Sequence, residues 1–238
     1  MFDWHTHLVT DLHDADYNGV IRASAVQRYM QIAANGQLRV CGPSNEELWA
    51  QGKAFLLTAI DITLHRPLLP YTEIESSSCG CQGRGFIFPR YYELEDSEGV
   101  VAEGLAQFGL IDVETRKLLP FDSCPCGFAP MELPAYTIRR FRLPHIDEME
   151  KVGTYTVTYG ETDQNHHLNN TFYPNLFTSF LDMNGKWVSR MVIRFQKDAP
   201  LGETLTVYRV SEGDTYRLCS IRSDGQLNAE AEFTLSDL

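Results

Sequence analysis

Three features are missing from this 238-residue chain, and each absence excludes a class of protein. No apolar run approaches the roughly 20 residues that cross a bilayer, so we expect no membrane span. Lys and Arg number 20 against 32 Asp and Glu, and the net charge of -12 argues against nucleic-acid binding. The N-terminal residues lack the basic start and apolar core of a signal peptide, which predicts a cytoplasmic protein.

The six cysteines lack the Cys-x-x-Cys spacing that is typical of zinc ribbons. Four of them form two Cys-x-Cys pairs, at Cys79 and Cys81 and at Cys124 and Cys126. Free thiols are the simpler interpretation in a reducing cytosol, and a four-thiolate metal site made from both pairs is the alternative. We therefore expect neither a metal nor another cofactor.

A second metal hypothesis comes from His5 and His7, which lie on the same face of a predicted first strand. They resemble the His-x-His strand of metal-dependent amidohydrolases. That chemistry needs further ligands at the ends of later barrel strands. The chain is short for such a barrel and shows few alternating strand-helix units, so we prefer a plain strand with two faces.

A hydrophobic content of 43% is that of an ordinary globular protein, and the length suits two units of about 100 to 120 residues each. In the first unit Ser24 opens a helix, along which Val26, Met30 and Ala33 recur at helical spacing. Strand-like runs follow at 55–64, 74–81, 86–94 and 100–111. Five of the eleven prolines lie between residues 120 and 144, which indicates a connection between the units.

The second unit contains the most polar turn of the chain. A β-branched and aromatic run at 154–159 predicts a strand, and apolar residues at helical spacing between Phe172 and Leu181 predict a helix. Between them stand Asp163, Asn165 and His167. Polar turns commonly serve only as turns and caps. A carboxylate, an amide and an imidazole in one turn favour a catalytic site here.

An internal repeat strengthens that hypothesis. Asp16 and Asn18 align with Asp163 and Asn165, and in both units a strand leads into the turn and a helix leaves it. His167 aligns with Val20, so only the second copy keeps the imidazole. We therefore expect one active site in the second unit. Val26, Met30 and Ala33 of the first unit are then predicted to shape the substrate pocket.

The residues from Asp163 to Tyr173 resemble the Asp-x-Asn-x-His-x-Asn-Asn-x-x-Tyr segment of plant and bacterial acyl-ACP thioesterases. The resemblance extends over nearly the whole chain. It implies an α+β tandem (double) hotdog with two antiparallel sheets, each wrapped on a long helix. The expected units are an N-terminal hotdog at 1–120, a linker at 121–149 and a catalytic C-terminal hotdog at 150–238.

The resemblance also implies an activity, which is hydrolysis of the thioester between a fatty acyl chain and acyl carrier protein (ACP). Asp163, Asn165 and His167 match the catalytic turn of the family. Asp198 stands where the family has an acid, and Ala199 stands where plant members have a cysteine. We assign Asp198 as the base that activates water and Asp163 as a residue that positions the turn. The exchange of these two roles stays an alternative.

Three other functions remain open at this point. The chain is compatible with a hotdog acyl-CoA thioesterase, with a hydroxyacyl dehydratase, and with a module that binds acyl groups without turnover. A dehydratase typically carries its carboxylate on the long helix, and the run from Phe172 to Leu181 contains no acid. ACP is the expected partner, and a homodimer is left open.

Overall fold

The structure is a computed structural model that describes residues 4–124, 126–127, 129–132 and 134–238. The strands are β1 Trp4–Val9, β2 Lys53–Leu64, β3 Glu73–Gly80, β4 Phe88–Asp96, β5 Gly99–Asp112, β6 Leu118–Leu119, β7 Glu150–Thr156, β8 Lys186–Phe195, β9 Thr204–Glu212, β10 Thr215–Ile221 and β11 Leu227–Asp237. The α-helices are α1 Ala23–Cys41, α2 Asn45–Ala50 and α3 Tyr173–Thr178. None of the helices in these described ranges is long and apolar enough to cross a membrane.

The strands form one antiparallel sheet in the order β1-β3-β4-β5-β2-β8-β11-β10-β9-β7, with β6 paired to β5. The order is palindromic, because each strand of the first half has its counterpart at the mirrored position in the second. The halves meet where β2 pairs with β8, and there Asp61 lies directly opposite Val192. In sequence, Ile60-Asp61-Ile62 also matches Met191-Val192-Ile193, which places the same two residues at equivalent positions of the repeat. A pseudo-twofold axis therefore passes between Asp61 and Val192.

The helix of the first half is long, as the sequence predicts. α1 has 19 residues and buries Val26, Met30 and Ala33 completely. It packs across β1 and β3, where the Ser76 hydroxyl donates to the backbone oxygen of Tyr29 at 3.0 Å. Gly36 permits this close approach, since a Cβ at that position would lie 2.7 Å from Nε1 of Trp4. The predicted antiparallel sheet wrapped on a helix is confirmed in this half.

The second half corrects one detail of the predicted fold. Its helix α3 has only six residues, preceded by a 3-10 turn at Asn170–Phe172, although the apolar pattern continues to Leu181. The hydroxyls of Thr178 and Ser179 donate to backbone oxygens one turn earlier, and the following amides form tighter i to i+3 bonds. These local bonds end the α-helix early. The two predicted sheets are also joined into one by the β2–β8 pairing.

The predicted boundaries at 120 and 150 stay predictions, since the sheet is continuous between the halves. Within 121–149 the described residues form two 3-10 turns, Phe121–Ser123 and Ile146–Glu148, and neither an α-helix nor a long strand. The proline-rich connection crosses the face of the sheet opposite the helices. We call this connection, residues 121–149, the strap.

A buried ionic network holds this strap on the sheet. Asp61 of β2 is fully buried, and its carboxylate accepts two hydrogen bonds from the Arg190 side chain at 3.0 and 2.7 Å. The same carboxylate accepts from the Tyr136 hydroxyl at 3.0 Å and from the Arg139 amide at 2.7 Å. The Arg139 side chain in turn pairs with the buried Glu232 at 3.0 Å. One carboxylate thus connects both halves and the strap.

We expect the substitution Asp61→Asn to lower the free energy of unfolding by about 3 kcal/mol, because it leaves the Arg190 guanidinium without its buried counter-charge. Urea unfolding followed by circular dichroism measures the change. Glu212→Gln is the matched control, since Glu212 also pairs with an arginine but is 84% exposed. It should cost less than about 1 kcal/mol. Equal, small effects of both substitutions would contradict a structural role for Asp61.

Candidate active site

The polar turn is built by its own backbone and by one carboxylate. Asp163 accepts a hydrogen bond from the Asn165 amide at 2.8 Å, and its own amide donates to the His167 oxygen at 3.1 Å. His166 adopts a left-handed conformation with φ of 64°, which lets the chain reverse within these few residues. An Asx turn of this kind explains why aspartate starts the segment.

The first half contains the same turn, bond for bond. Asp16 accepts from the Asn18 amide at 2.9 Å and donates its own amide to the Val20 oxygen at 2.8 Å. Gly19 has the positive φ that corresponds to His166. Isolated bridges close both turns, Ala15 with Ile21 and Thr162 with Leu168. The structure therefore shows the repeat that the sequence predicts.

The two copies differ in what their asparagines contact. The Asn18 amide group donates to the backbone oxygens of Met183 and Lys186, at 2.6 and 2.9 Å, so this side chain fastens the first turn to the second half. Asn165 is exposed, and its side chain makes no hydrogen bond to any other described residue. Only the second copy therefore offers a free amide at its turn.

His167 lies beside Asp163, as the i, i+4 spacing within a tight turn requires. Its Nδ1 is 3.7 Å from Oδ1 of Asp163, and the two side chains are 26% and 20% exposed. This separation is too long for a hydrogen bond but allows an electrostatic contact. The turn thus brings together the three predicted residues Asp163, Asn165 and His167.

Asp198 lies on the segment that pairs with the turn. Ala199 accepts a hydrogen bond from the Leu168 amide at 2.8 Å, and Pro200 forms a bridge with His167. The Asp198 carboxylate itself contacts two arginines, with Nη1 of Arg222 at 3.2 Å and Nη2 of Arg116 at 3.7 Å. Within the described part of the chain, no hydrogen bond or ion pair joins Asp198 to Asn165 or His167.

A buried phenol underlies both carboxylates. Tyr173 accepts a hydrogen bond from the Asn228 amide at 2.9 Å, and Asn228 also donates to the Lys197 oxygen at 2.5 Å. Burial raises the pKa of Tyr173 to about 12, the bond from Asn228 opposes this, and the negative charges of Asp198 and Asp163 add to it. Both carboxylates therefore lie near the same phenol. Nothing in the local sequence of Asn228 signals this role.

The turn opens on a cavity of about 430 Å³ between the two halves. Gln164, Asn165 and Asn170 of the second half form its polar edge. The opposite wall belongs to the first half and to the start of the strap. Its apolar members include Ala34, Leu38, Leu48, Trp49, Leu57, Phe88, Phe108 and Phe121. Its polar and cysteine members include Gln31, Asn35, Asn45, Arg90, Asp122, Cys81, Cys124 and Cys126.

The predicted pocket residues occupy a different face of α1. Val26, Met30 and Ala33 are fully buried against the sheet, and none of them is among the described residues that border the cavity. Gln31, Ala34, Asn35 and Leu38 border it instead. Helical periodicity identified the buried stripe of the helix correctly. It could not show that the cavity lies along the edge of that stripe.

Two glutamines connect α1 to Asn170, which follows the polar turn of the other half. Gln31 donates to Oδ1 of Asn170 at 2.8 Å, and Gln27 donates to the same oxygen at 3.2 Å. Gln27 is fully buried. These two glutamines are not among the residues predicted from the sequence, although a glutamine on the apolar face of a helix is an uncommon signal.

The cysteines partly differ from expectation. The structure joins Cys124 and Cys126 in a disulfide, whereas Cys41 and Cys219 are free thiols and the sulfurs of Cys79 and Cys81 are in contact at 3.9 Å. Burial raises the pKa of Cys219 to about 11, which makes its thiolate a rare species at neutral pH. Among the described residues, no group of three or more His, Cys, Asp or Glu side chains is arranged to hold a metal ion.

Comparison with solved structures shows the fold. The chain superposes on an acyl-ACP thioesterase from Bacteroides thetaiotaomicron with a TM-score of 0.85 at 14% sequence identity, over 98% of this chain and 97% of that one. It superposes on a 12:0-ACP thioesterase from Umbellularia californica with a TM-score of 0.86 at 13% identity, again over 98% and 97%. No protein-family model and no curated protein sequence matches the chain. The chain therefore has the double hotdog fold of these two proteins.

Proposed function

We propose that the protein hydrolyses the thioester of fatty acyl-ACP and releases a free fatty acid and ACP. The observation that carries this proposal is the position of Asn165. Its unengaged amide borders a cavity whose far wall carries a group of apolar side chains beside polar ones, so a polar donor and an apolar surface line the same space. The shared fold with solved acyl-ACP thioesterases supports the same reaction.

The acyl chain would lie between α1 and the strands β2, β4 and β5. Ala34, Leu38, Leu48 and Leu57 offer an apolar surface for it, and burial of each methylene is worth about 0.8 kcal/mol. The thioester would then reach the edge formed by Gln164 and Asn165. The Asn165 amide can donate to the carbonyl oxygen and stabilise the negative charge that develops there.

The chemistry at this position needs a water molecule and a base. In the proposed reaction Asp198 takes a proton from water, and the water oxygen attacks the carbonyl carbon. The tetrahedral intermediate then breaks its carbon–sulfur bond and expels the thiolate of the phosphopantetheine arm, which takes the proton back from Asp198. Asp163 positions the turn and faces His167. Arg222 holds the Asp198 backbone oxygen at 2.7 Å and its carboxylate at 3.2 Å, so the base has a defined orientation.

A covalent route through cysteine has less support. Ala199 replaces the cysteine of plant members and is fully buried. The thiol of the second half, Cys219, is buried and its pKa is raised, and both properties make it a poor nucleophile. The proposed reaction therefore uses water directly, without a metal or another cofactor. ACP as partner and a cytoplasmic location belong to the same proposal.

Incubation of the purified protein with acyl-ACPs of different chain lengths tests the activity. We expect equal amounts of free fatty acid and free thiol, unchanged by a chelator and larger than with the matching acyl-CoA. A hydroxyacyl-ACP that yields an unsaturated product without thiol release would instead indicate a dehydratase. Binding of acyl-ACP without any product, or activity that is lost to the chelator and restored by zinc, would overturn the proposal.

The assignment of the base predicts that Asp198→Asn lowers kcat by a factor of about 10² to 10⁴. Asp224→Asn is the matched control, because Asp224 pairs with the same arginine at 3.4 Å but is not on the segment that pairs with the turn. It should keep near-normal turnover. Ala199→Cys should change the rate little. Normal turnover in Asp198→Asn, combined with loss of activity in Asp163→Asn, would transfer the role to Asp163.

The corrected pocket predicts how chain-length preference changes. Ala34→Leu should favour acyl chains shorter by about three carbon atoms. Leucine adds three carbon atoms to the wall of the cavity, and because the wall around them is close-packed, they occupy space that the acyl chain would fill. Activity on a series of acyl-ACPs measures the shift. Ala33→Leu is the control on the adjacent, fully buried position, where overpacking should cost about 1 to 3 kcal/mol of stability without changing the preference. A shift with Ala33→Leu alone would restore the original assignment.

A further inference from the structure

A second cavity, of about 290 Å³, lies at the position related to the first by the internal repeat. The first cavity lies between the turn of the second half and helix α1 of the first half. The second lies between the turn of the first half and helix α3 of the second half, with Val20, Leu64, Leu68 and Val188 on its apolar wall. In the second cavity the first half supplies the turn and the second half supplies the helix, which is the reverse of the first cavity.

This second cavity lacks the residues proposed for hydrolysis. Val20 occupies the position of His167 in the repeat, and the Asn18 side chain is hydrogen-bonded to the backbone of the second half. Its amide donates to two backbone oxygens, and its oxygen accepts from the Gly185 amide at 3.2 Å. The cavity has thus kept its space but not the free amide of the first site.

The start of α1 at this cavity has lost an acceptor that its counterpart retains. In the second half, Oδ1 of Asn169 accepts from the amide and from the hydroxyl of Thr171, at 3.0 and 2.9 Å. The repeat places Arg22 and Ser24 at these positions. Arg22 cannot accept a hydrogen bond, and its side chain donates to the His13 oxygen instead.

The hydroxyl of Ser24 shows the consequence. Ser24 borders the cavity and is 1% exposed, and its Oγ has no hydrogen-bond partner among the described residues. Within those residues α1 also has no side-chain cap, and its first turn contains no acidic residue. The amides of a first helical turn have no partners inside the helix and attract negative charge. The Ser24 hydroxyl, which has no partner among the described residues, and the amides at the very start of α1 therefore border the same cavity.

We propose that this second cavity binds the carboxylate of an alkyl-chain acid, which is the chemical class of a free fatty acid. One carboxylate oxygen accepts from the Ser24 hydroxyl and the first amides of α1, and thereby replaces the oxygen that Asn169 supplies in the other half. Arg22 adds positive charge at the entrance. Asp16 also borders the cavity, but its carboxylate already accepts from the amides of Asn18 and Val20.

The size and lining of the cavity define the length of the acid. At roughly 30 Å³ for each group of the size of water, the space holds about ten such groups. The alkyl chain would contact Val20, Leu64, Leu68 and Val188. A medium-chain acid such as decanoate matches this volume. The proposal does not require that the first cavity hydrolyse anything, because it concerns binding at a site without the proposed catalytic residues.

Titration of the protein with decanoate, followed by calorimetry and by NMR of a ¹³C-labelled carboxylate, tests the proposal. Ser24→Ala and Arg22→Gln should each weaken one decanoate site by about tenfold or more, since the first removes a donor to the carboxylate and the second removes the positive charge beside it. Ser179→Trp should block the same site, because Ser179 is an exposed residue at its edge. Decanol, which has no carboxylate, should not occupy it.

Two variants separate this site from the first cavity. Arg28→Gln alters a neighbouring arginine of α1 that pairs with Asp14, and should leave decanoate binding unchanged. Leu38→Trp narrows the first cavity and should spare the site that depends on Ser24. A decanoate site that is weakened by Ser24→Ala, Arg22→Gln and Ser179→Trp supports the proposal. If decanoate does not bind, or if its binding is the same in these three variants, the proposal is wrong, whatever the hydrolysis assay shows.

Discussion

The antiparallel pairing of β2 with β8 is the constraint on which the rest of this structure depends. It places Asp61 opposite Val192 and makes one sheet out of two repeated units. Because the units are related by a twofold axis at this pairing, the turn of each one meets the helix of the other. The cavity beside Asn165 therefore exists only when both halves are assembled, and Gln27 and Gln31 of α1 hold the turn of the second half through Asn170.

Asymmetry between the two copies explains how one fold can contain two cavities with different linings. Both turns keep the aspartate, whose carboxylate accepts a hydrogen bond from the backbone amide two residues later and so stabilises the turn. The residues that do not shape the turn have diverged. Asn18 has become a structural tie to the second half, while Asn165 stays free at a cavity. Val20 and Arg22 stand where the second copy has His167 and Asn169. The first copy therefore has neither the imidazole nor the capping side chain, but it still encloses a cavity.

The strap shows how charge is used where the helices do not cover the sheet. Asp61 and Glu232 are almost completely buried on the face opposite α1, and arginines from β8 and from the strap neutralise them. A buried carboxylate is costly unless it is paired and fully hydrogen-bonded, and Asp61 meets that condition with four donors. The network thus specifies where the strap lies, and the strap contributes Phe121 and Asp122 to the wall of the first cavity.

By itself, the sequence determined most of the strands, the long helix α1, the duplicated turn and the grouping of Asp163, Asn165 and His167, because each is encoded by local periodicity or by hydrogen bonds within a few residues. It placed the strand before the second turn at 154–159, whereas β7 is Glu150–Thr156. It could not determine the length of α3, where hydroxyls of Thr178 and Ser179 compete with the apolar pattern. Nor could it place the cavity beside Ala34 rather than Ala33, or pair Asp198 with Arg222 and Asp61 with Arg190. The two ion pairs and the lining of the cavity bring together residues that are far apart in sequence. Only the tertiary structure decides which of many charged and apolar side chains meet.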